Sequence, residues 1–241
     1  MTPSPTHVQA VRRKVMAAVA TLTIVCGVSA AATGVASAAS PQCGDACISV
    51  FSSELGSYDQ LNYVEAVLGD GGARIGQPVG LKPANKFDPT QDIMPDAPMP
   101  GPGVATVSDF YAAGMVSAEA NRHYGHLLAV QQEYAPLRMG TDLCVGLASV
   151  KQNEGLTLQP CSVPGTTVWV VQMDLGTPSG YFPIVNAATT DFRRPFSMHL
   201  PRNEVASGKP LQMQARHLQF LTGENTLRAR QLWGAWPGEL P

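Results

Sequence analysis

Along much of the chain, short apolar runs alternate with polar, glycine- or proline-bearing breaks. From Leu143 onward the runs are "LCVGLASV", "LTLQPC", "VWVVQM", "YFPIVNA", "PFSMHL", "PLQMQARHLQFL" and "RQLWGAW", with "KQNEG" and "SVPGTT" between the first three. Turn signals recurring at roughly 8–12 residues predict an all-β sandwich or barrel. Residues 43–85 repeat the rhythm in "ACISVF", "YVEAVL" and "ARIGQPVGLKP", and "GDGG" at Gly69–Gly72 marks a turn. The segment 86–103 carries five prolines and predicts an extended loop, in which Asp88, Asp92 and Asp96 read as solvated. Between 104 and 135 the pattern predicts a strand near Val104–Tyr111, a helical turn capped by Ser117, and a strand near Ala129–Ala135.

The first forty residues have a different pattern. Arg12, Arg13 and Lys14 precede an uncharged apolar run over 15–30, and Ala36-Ser37-Ala38 offers small residues for cleavage. This is the layout of a secretory signal peptide over 1–38, leaving one domain over 39–241 that is secreted or cell-wall associated. An uncleaved anchor is the alternative, because the stretch is long enough to span a bilayer. Charged residues are 14% of the chain, well below the usual roughly 25%. Removing residues 1–38 leaves 13 basic against 18 acidic side chains. That balance argues against nucleic acid or an anionic membrane surface as partner, since both require clustered Lys and Arg.

Four cysteines remain beyond the leader: Cys43, Cys47, Cys144 and Cys161. An even count in an exported chain reads as disulfides, and three connectivities are possible. Pairing Cys43 with Cys47 and Cys144 with Cys161 keeps both bridges local. Zinc would need tighter pairs with further ligands, and redox chemistry would need C-x-x-C. Cys144 and Cys161 therefore predict a stapled strand–turn–strand module, with a turn at Gly155.

The stretch "LCVGLAS…GLTLQPC…VW" resembles one repeat of a ricin-B-type β-trefoil. In that resemblance Cys144 opens the repeat, Gly155 forms its turn, Leu156–Cys161 is its second strand and Trp169 closes it. A full Q-x-W stands once, at Gln231-Leu232-Trp233, and the candidate repeat from Cys47 has no Trp. The resemblance implies three pseudo-repeats, with Trp169, Trp233 and Gln231 in the structural core and the excess length in loops at 86–103 and 200–210. It also implies an altered sugar site, because Val145-Gly146 follows Cys144 where an acid is expected and Asp142 lies before it. The stretches "CGDACISV", "GQPVGLKP", "DFYAAGMVS", "EYAP", "PIVNAATTDF" and "QLWGA" further resemble a group of small exported proteins of high-GC Gram-positive bacteria. That likeness implies export, and the group has no assigned activity to carry over.

No catalytic pattern emerges. G-x-S-x-G and H-E-x-x-H are absent. His123 and His126 form an H-x-x-H with Glu119 nearby, but Gly125 interrupts them, and they read as an exposed turn rather than a metal site. Asp191, Arg193 and Arg194 make the densest charged spot and read as a local pairing. The sequence therefore predicts a non-enzymatic exported binding domain without metal or cofactor, for glycan or another cell-envelope component. The alternatives are a structural or protein-binding scaffold and an unrecognised hydrolase. Neither the ligand-binding residues nor the oligomeric state can be read from it. Tyr58, Tyr63, Tyr111 and Trp236 are the candidate aromatic platforms for a sugar.

Overall fold

The computed structural model describes residues 46–98, 105–201, 211–221, 227–238 and 240, all within the unit Ala39–Pro241. The predicted leader and Cys43 lie outside the described residues. Cys47 is disulfide-bonded.

The strands fall into three sets of four. The first is β1 (Ile48–Ser52), β2 (Tyr63–Val67), β3 (Val79–Pro83) and β4 (Ile93–Asp96). A minor strand, β5 (Ala105–Thr106), and two helices, α1 (Val107–Ala112) and α2 (Ala118–Tyr124), separate it from the second. That second set is β6 (Leu128–Tyr134), β7 (Leu143–Leu147), β8 (Glu154–Pro160) and β9 (Trp169–Val171). The third is β10 (Ile184–Asn186), β11 (Phe196–His199), the broken strand β12 (Leu211–Gln212) with β13 (Gln214–His217), and β14 (Trp233–Pro237).

The ladders define the architecture. Each fourth strand pairs with the first strand of the next set: β4 with β6, β9 with β10, and β14 back to β1. Within a set, the first and fourth strands meet through β6–β9 and the Phe182–Trp233 bridge, and β1 lies against β4. These six strands close a barrel, which removes free sheet edges. The second and third strands form the hairpins β2–β3, β7–β8 and β11–β13. The third strands then join one another through β3–β12 and β8–β13, capping one end of the barrel. A barrel of six strands capped by three hairpins about a pseudo-threefold axis is a β-trefoil. Gly80 permits the β3–β12 approach, since a Cβ there would collide with the Leu211 carbonyl oxygen.

The registers also fix which residues are equivalent. Ile93, Trp169 and Trp233 open the three fourth strands, facing Tyr134, Asn186 and Ser52 of the neighbouring first strands. All three are buried in the main core. Trp169 Nε1 donates to the Val145 carbonyl at 2.8 Å, and Trp233 Nε1 donates to the Met198 carbonyl at 3.0 Å. Gln231 and Gln91 make matching pairs of bonds. Gln231 accepts from the Gln219 amide and donates to the His217 carbonyl, and Gln91 accepts from the Asn85 amide and donates to the Pro83 carbonyl. The first repeat thus carries Gln91-Asp92-Ile93 where the third carries Gln231-Leu232-Trp233.

Several expectations are corrected. The loop at 86–103 contains β4, whose prolines disguise it. Pro95 is tolerated because, among the described residues, β4 has a ladder with β6 alone. Its aspartates are structural: Asp88 caps a 3-10 turn and pairs with Lys82 at 2.9 Å, while buried Asp92 accepts from the Leu137 amide at 2.8 Å. Residues 107–112 are helix, not strand, because Thr106 and Asp109 form a capping box. The excess length lies mainly in this helical insertion, and 202–210 fall outside the described residues. Gly155 lies within β8, and the left-handed turn residue before it is Asn153 (φ 62°). Cys144 lies on a second strand rather than opening a repeat, so it is not the counterpart of Cys47. The other limits hold: β6 and α2 match their predicted places, and Ser117 caps α2.

Cys144 and Cys161 are bonded, with Cα atoms 4.9 Å apart and 17 residues of separation, and staple the ends of β7 and β8. Closing that loop restricts the unfolded chain. Replacing both cysteines by alanine is expected to cost about 3 kcal/mol, read as a lower urea midpoint. An unchanged midpoint would remove the staple from the account of stability.

Candidate functional site

The helical insertion packs against the barrel through Phe110, Ala120 and Tyr124, in a second apolar cluster with Val168, Val170 and Val185. Where the end of α2 meets the turn after β9 and the loop between β10 and β11, a cleft of about 220 Å3 opens. His123, Tyr124 and His126 line it from α2 and its exit, Gln172 and Asp174 from the turn, and Phe192 and Arg193 from the loop. Phe220, 48% exposed, closes one side.

The rings in the cleft are stacked. His123 lies over Phe192 with centroids 4.1 Å apart and planes 15° apart, and Tyr124 meets Phe192 edge-on at 5.5 Å. Tyr124 is buried, and its Oη lies beside Gln172 without closing a hydrogen bond of good geometry. Burial, reinforced by the Asp174 and Asp191 carboxylates, pushes its phenol up to about 12. It is therefore a neutral donor at any physiological pH. The exposed Asp174 supplies an acceptor, while Asp191 is engaged locally, accepting from the Arg193 and Arg194 amides at 3.1 and 3.3 Å. A carboxylate and aromatic faces within one shallow cleft suit a polyhydroxylated ring, which combines C–H faces with hydroxyls.

His123 and His126 share this cleft, but Glu119 lines a different groove beside Gly165 and Thr189. The three do not converge, and among the described residues no cluster of His, Cys, Asp and Glu could hold a metal ion. Tyr58 and Tyr63 are half-buried, Tyr58 stacking edge-on against Phe51 at 5.1 Å. Tyr111 is exposed and Trp236 half-buried, and neither lines the cleft. Asp142 is exposed on a left-handed turn, and the Val145-Gly146 pair beside it is buried. His199 and His217 lie on β11 and β13, with His217 stacked on Phe196 at 4.0 Å. Sequence reasoning missed Tyr124, Gln172, Asp174 and Phe220, because four separate segments contribute to the cleft and none carries a motif. Phe192 lies inside "TTDFRRPF", the densest charged spot of the sequence.

The fold and cleft define a β-trefoil with a helical insertion. No known family model matches the chain, and no curated protein matches it. Among solved structures it is similar to a designed 3-fold symmetric protein, ThreeFoil, with 9% identity and a TM-score of 0.47 over 80% of this chain and 98% of that one. At that level the likeness adds nothing to the ladders, which establish the trefoil by themselves. Among the described residues no helix is long and apolar enough to cross a membrane.

Proposed function

We propose that this protein is an exported, non-enzymatic binding module that recognises a sugar ring of a cell-envelope glycan in the cleft between α2 and the third repeat. The observation that carries the reading is the convergence there of the exposed Asp174 carboxylate and the faces of Phe220 and His123. Asp174 accepts from sugar hydroxyls, and a ring lies on the aromatic face. This site differs from the one the ricin-B resemblance leads to beside Cys144, where Val145-Gly146 stands in place of the expected acid. The disulfides support an oxidising compartment, and with it export.

The test is binding to immobilised cell-wall polysaccharide. Asp174→Asn and Phe220→Ala are each expected to weaken it roughly tenfold or more, since each removes a hydrogen-bonding or stacking partner. Both residues are exposed, so the fold is expected to survive, which circular dichroism checks. Binding that both variants leave unchanged would move the site elsewhere. A folded protein that binds no polysaccharide would favour the protein-binding scaffold.

A further inference from the structure

The charges of "TTDFRRPF" do not neutralise one another. Asp191 Oδ1 accepts from the Arg193 and Arg194 backbone amides at 3.1 and 3.3 Å, so the carboxylate closes a turn and leaves both guanidiniums unspent. Two further contacts fix that turn against the rest of the fold. Phe192 stacks on His123 of α2, and the Arg194 carbonyl meets His217 Nδ1 on β13. Between these anchors Arg193 is exposed and lines the cleft, whereas Arg194 is exposed and does not line it.

Asp174 lines the same cleft from the 3-10 turn Met173–Leu175. Arg193 and Asp174 therefore bring opposite charges to one cleft, yet among the described residues neither forms an ion pair. The donors outnumber the acceptors. A guanidinium has five N–H donors and no acceptor, and the exposed His126 adds a ring N–H. Asp191 is already engaged with the backbone, which leaves Asp174 as the carboxylate facing a ligand. A neutral sugar uses Asp174 and the aromatic faces but leaves the guanidinium to water. A cationic amino sugar sets its charge beside Arg193. A sugar with an anionic group uses both ends of the cleft, because the guanidinium fork matches the paired oxygens of a carboxylate or phosphate.

We propose that the sugar recognised in this cleft is an anionic one, with its carboxylate or phosphate on the Arg193 guanidinium, its hydroxyls on Asp174 and its ring against Phe220. The proposal rests on the sugar reading of the cleft and adds the class of sugar.

Matched sugars are the probes: glucuronate and glucose 6-phosphate against glucose, galacturonate against galactose, and N-acetylmuramate against N-acetylglucosamine. NMR titration of the full chain is expected to show an anionic member binding roughly tenfold more tightly than its neutral parent. The glucuronate and glucose 6-phosphate arms tell carboxylate from phosphate. Arg193→Gln is expected to remove the preference and Arg194→Gln to retain it, which separates a contact in the cleft from general charge attraction. The preference is also expected to shrink as salt is raised, since Arg193 is exposed. Neutral parents that bind as tightly as their anionic partners in every pair, or a preference that survives Arg193→Gln, would overturn the proposal and leave the sugar reading standing. A folded chain that binds none of these sugars would overturn both.

Discussion

Replacing Glu65 by Gln is expected to stabilise the protein increasingly as pH rises from about 5 to 8, and hardly at all below that window. Glu65 is fully buried among apolar residues, and desolvation pushes its carboxyl from 4.5 up to about 8. Below 4.5 it is protonated in both folded and unfolded chains, so it costs nothing by titration. Between 4.5 and 8 the unfolded chain releases the proton while the folded one retains it, and stability falls with rising pH. Above 8 both states are ionised and the loss levels off. The difference between wild type and Glu65→Gln is therefore expected to grow by about 1.4 kcal/mol per pH unit inside the window, reaching on the order of 3–5 kcal/mol. Glutamine keeps the size and the acceptor for Gln132, so the difference isolates the charge. Asp70, Asp88 and Asp109, all held below the usual carboxylate range by hydrogen bonds or ion pairing, titrate alike in both proteins and cancel. Urea midpoints at pH 4, 6 and 9 read the result, and parallel pH curves would show that Glu65 ionises freely in the fold.

The second large effect is expected at the fourth-strand tryptophans. Trp233 has no exposed surface, sits in the main cluster and uses its indole N–H to satisfy the Met198 carbonyl. Trp233→Ala removes the packing, opens a cavity and orphans that carbonyl, at an expected cost of roughly 3–5 kcal/mol. Trp233→Phe retains most of the packing and is expected to cost about 1–3 kcal/mol, mainly for the orphaned carbonyl. Trp169, with the same bond to Val145, is expected to behave alike, whereas Ile93→Val in the first repeat is expected to cost only about 1 kcal/mol. Calorimetry or urea unfolding of the four variants checks the order. A near-neutral Trp233→Ala would break the equivalence of the three repeats.

What could be read from the sequence follows from how local each signal is. Strands β7, β8 and β9 are separated by strong turns, and a cysteine stands near the start of β7 and just after β8, so both the strand limits and the staple were legible. Strand β4 was hidden because five prolines outweigh Ile93, and a strand paired on one side tolerates Pro95. The phase of the repeats is hidden because Cys47 and Cys144 look alike in sequence, while only the ladders show that one precedes a first strand and the other lies on a second. Gln91 escaped notice because Ile93 replaces the tryptophan that makes Q-x-W recognisable, although its hydrogen bonds match those of Gln231. Helix α1 was taken for a strand because "VSDFY" mixes β-branched and aromatic residues, and the capping box from Thr106 to Asp109 overrode that preference. The Glu65–Gln132 contact spans two repeats, and "YVEAV" is buried on both faces, so alternation carries no warning of a buried acid. The cleft is assembled from segments distant in sequence, and only the fold brings Tyr124, Asp174 and Phe220 together.

The central claim is that the cleft beside α2 recognises a sugar, and the most direct measurement is a glycan-array screen of the purified protein followed by calorimetric titration of the best ligand. The account predicts saturable binding of a defined glycan, competed by its free sugar and lost in Asp174→Asn. A folded protein that binds no glycan on the array and no cell-wall polysaccharide would contradict it, leaving the trefoil as a platform for a protein partner.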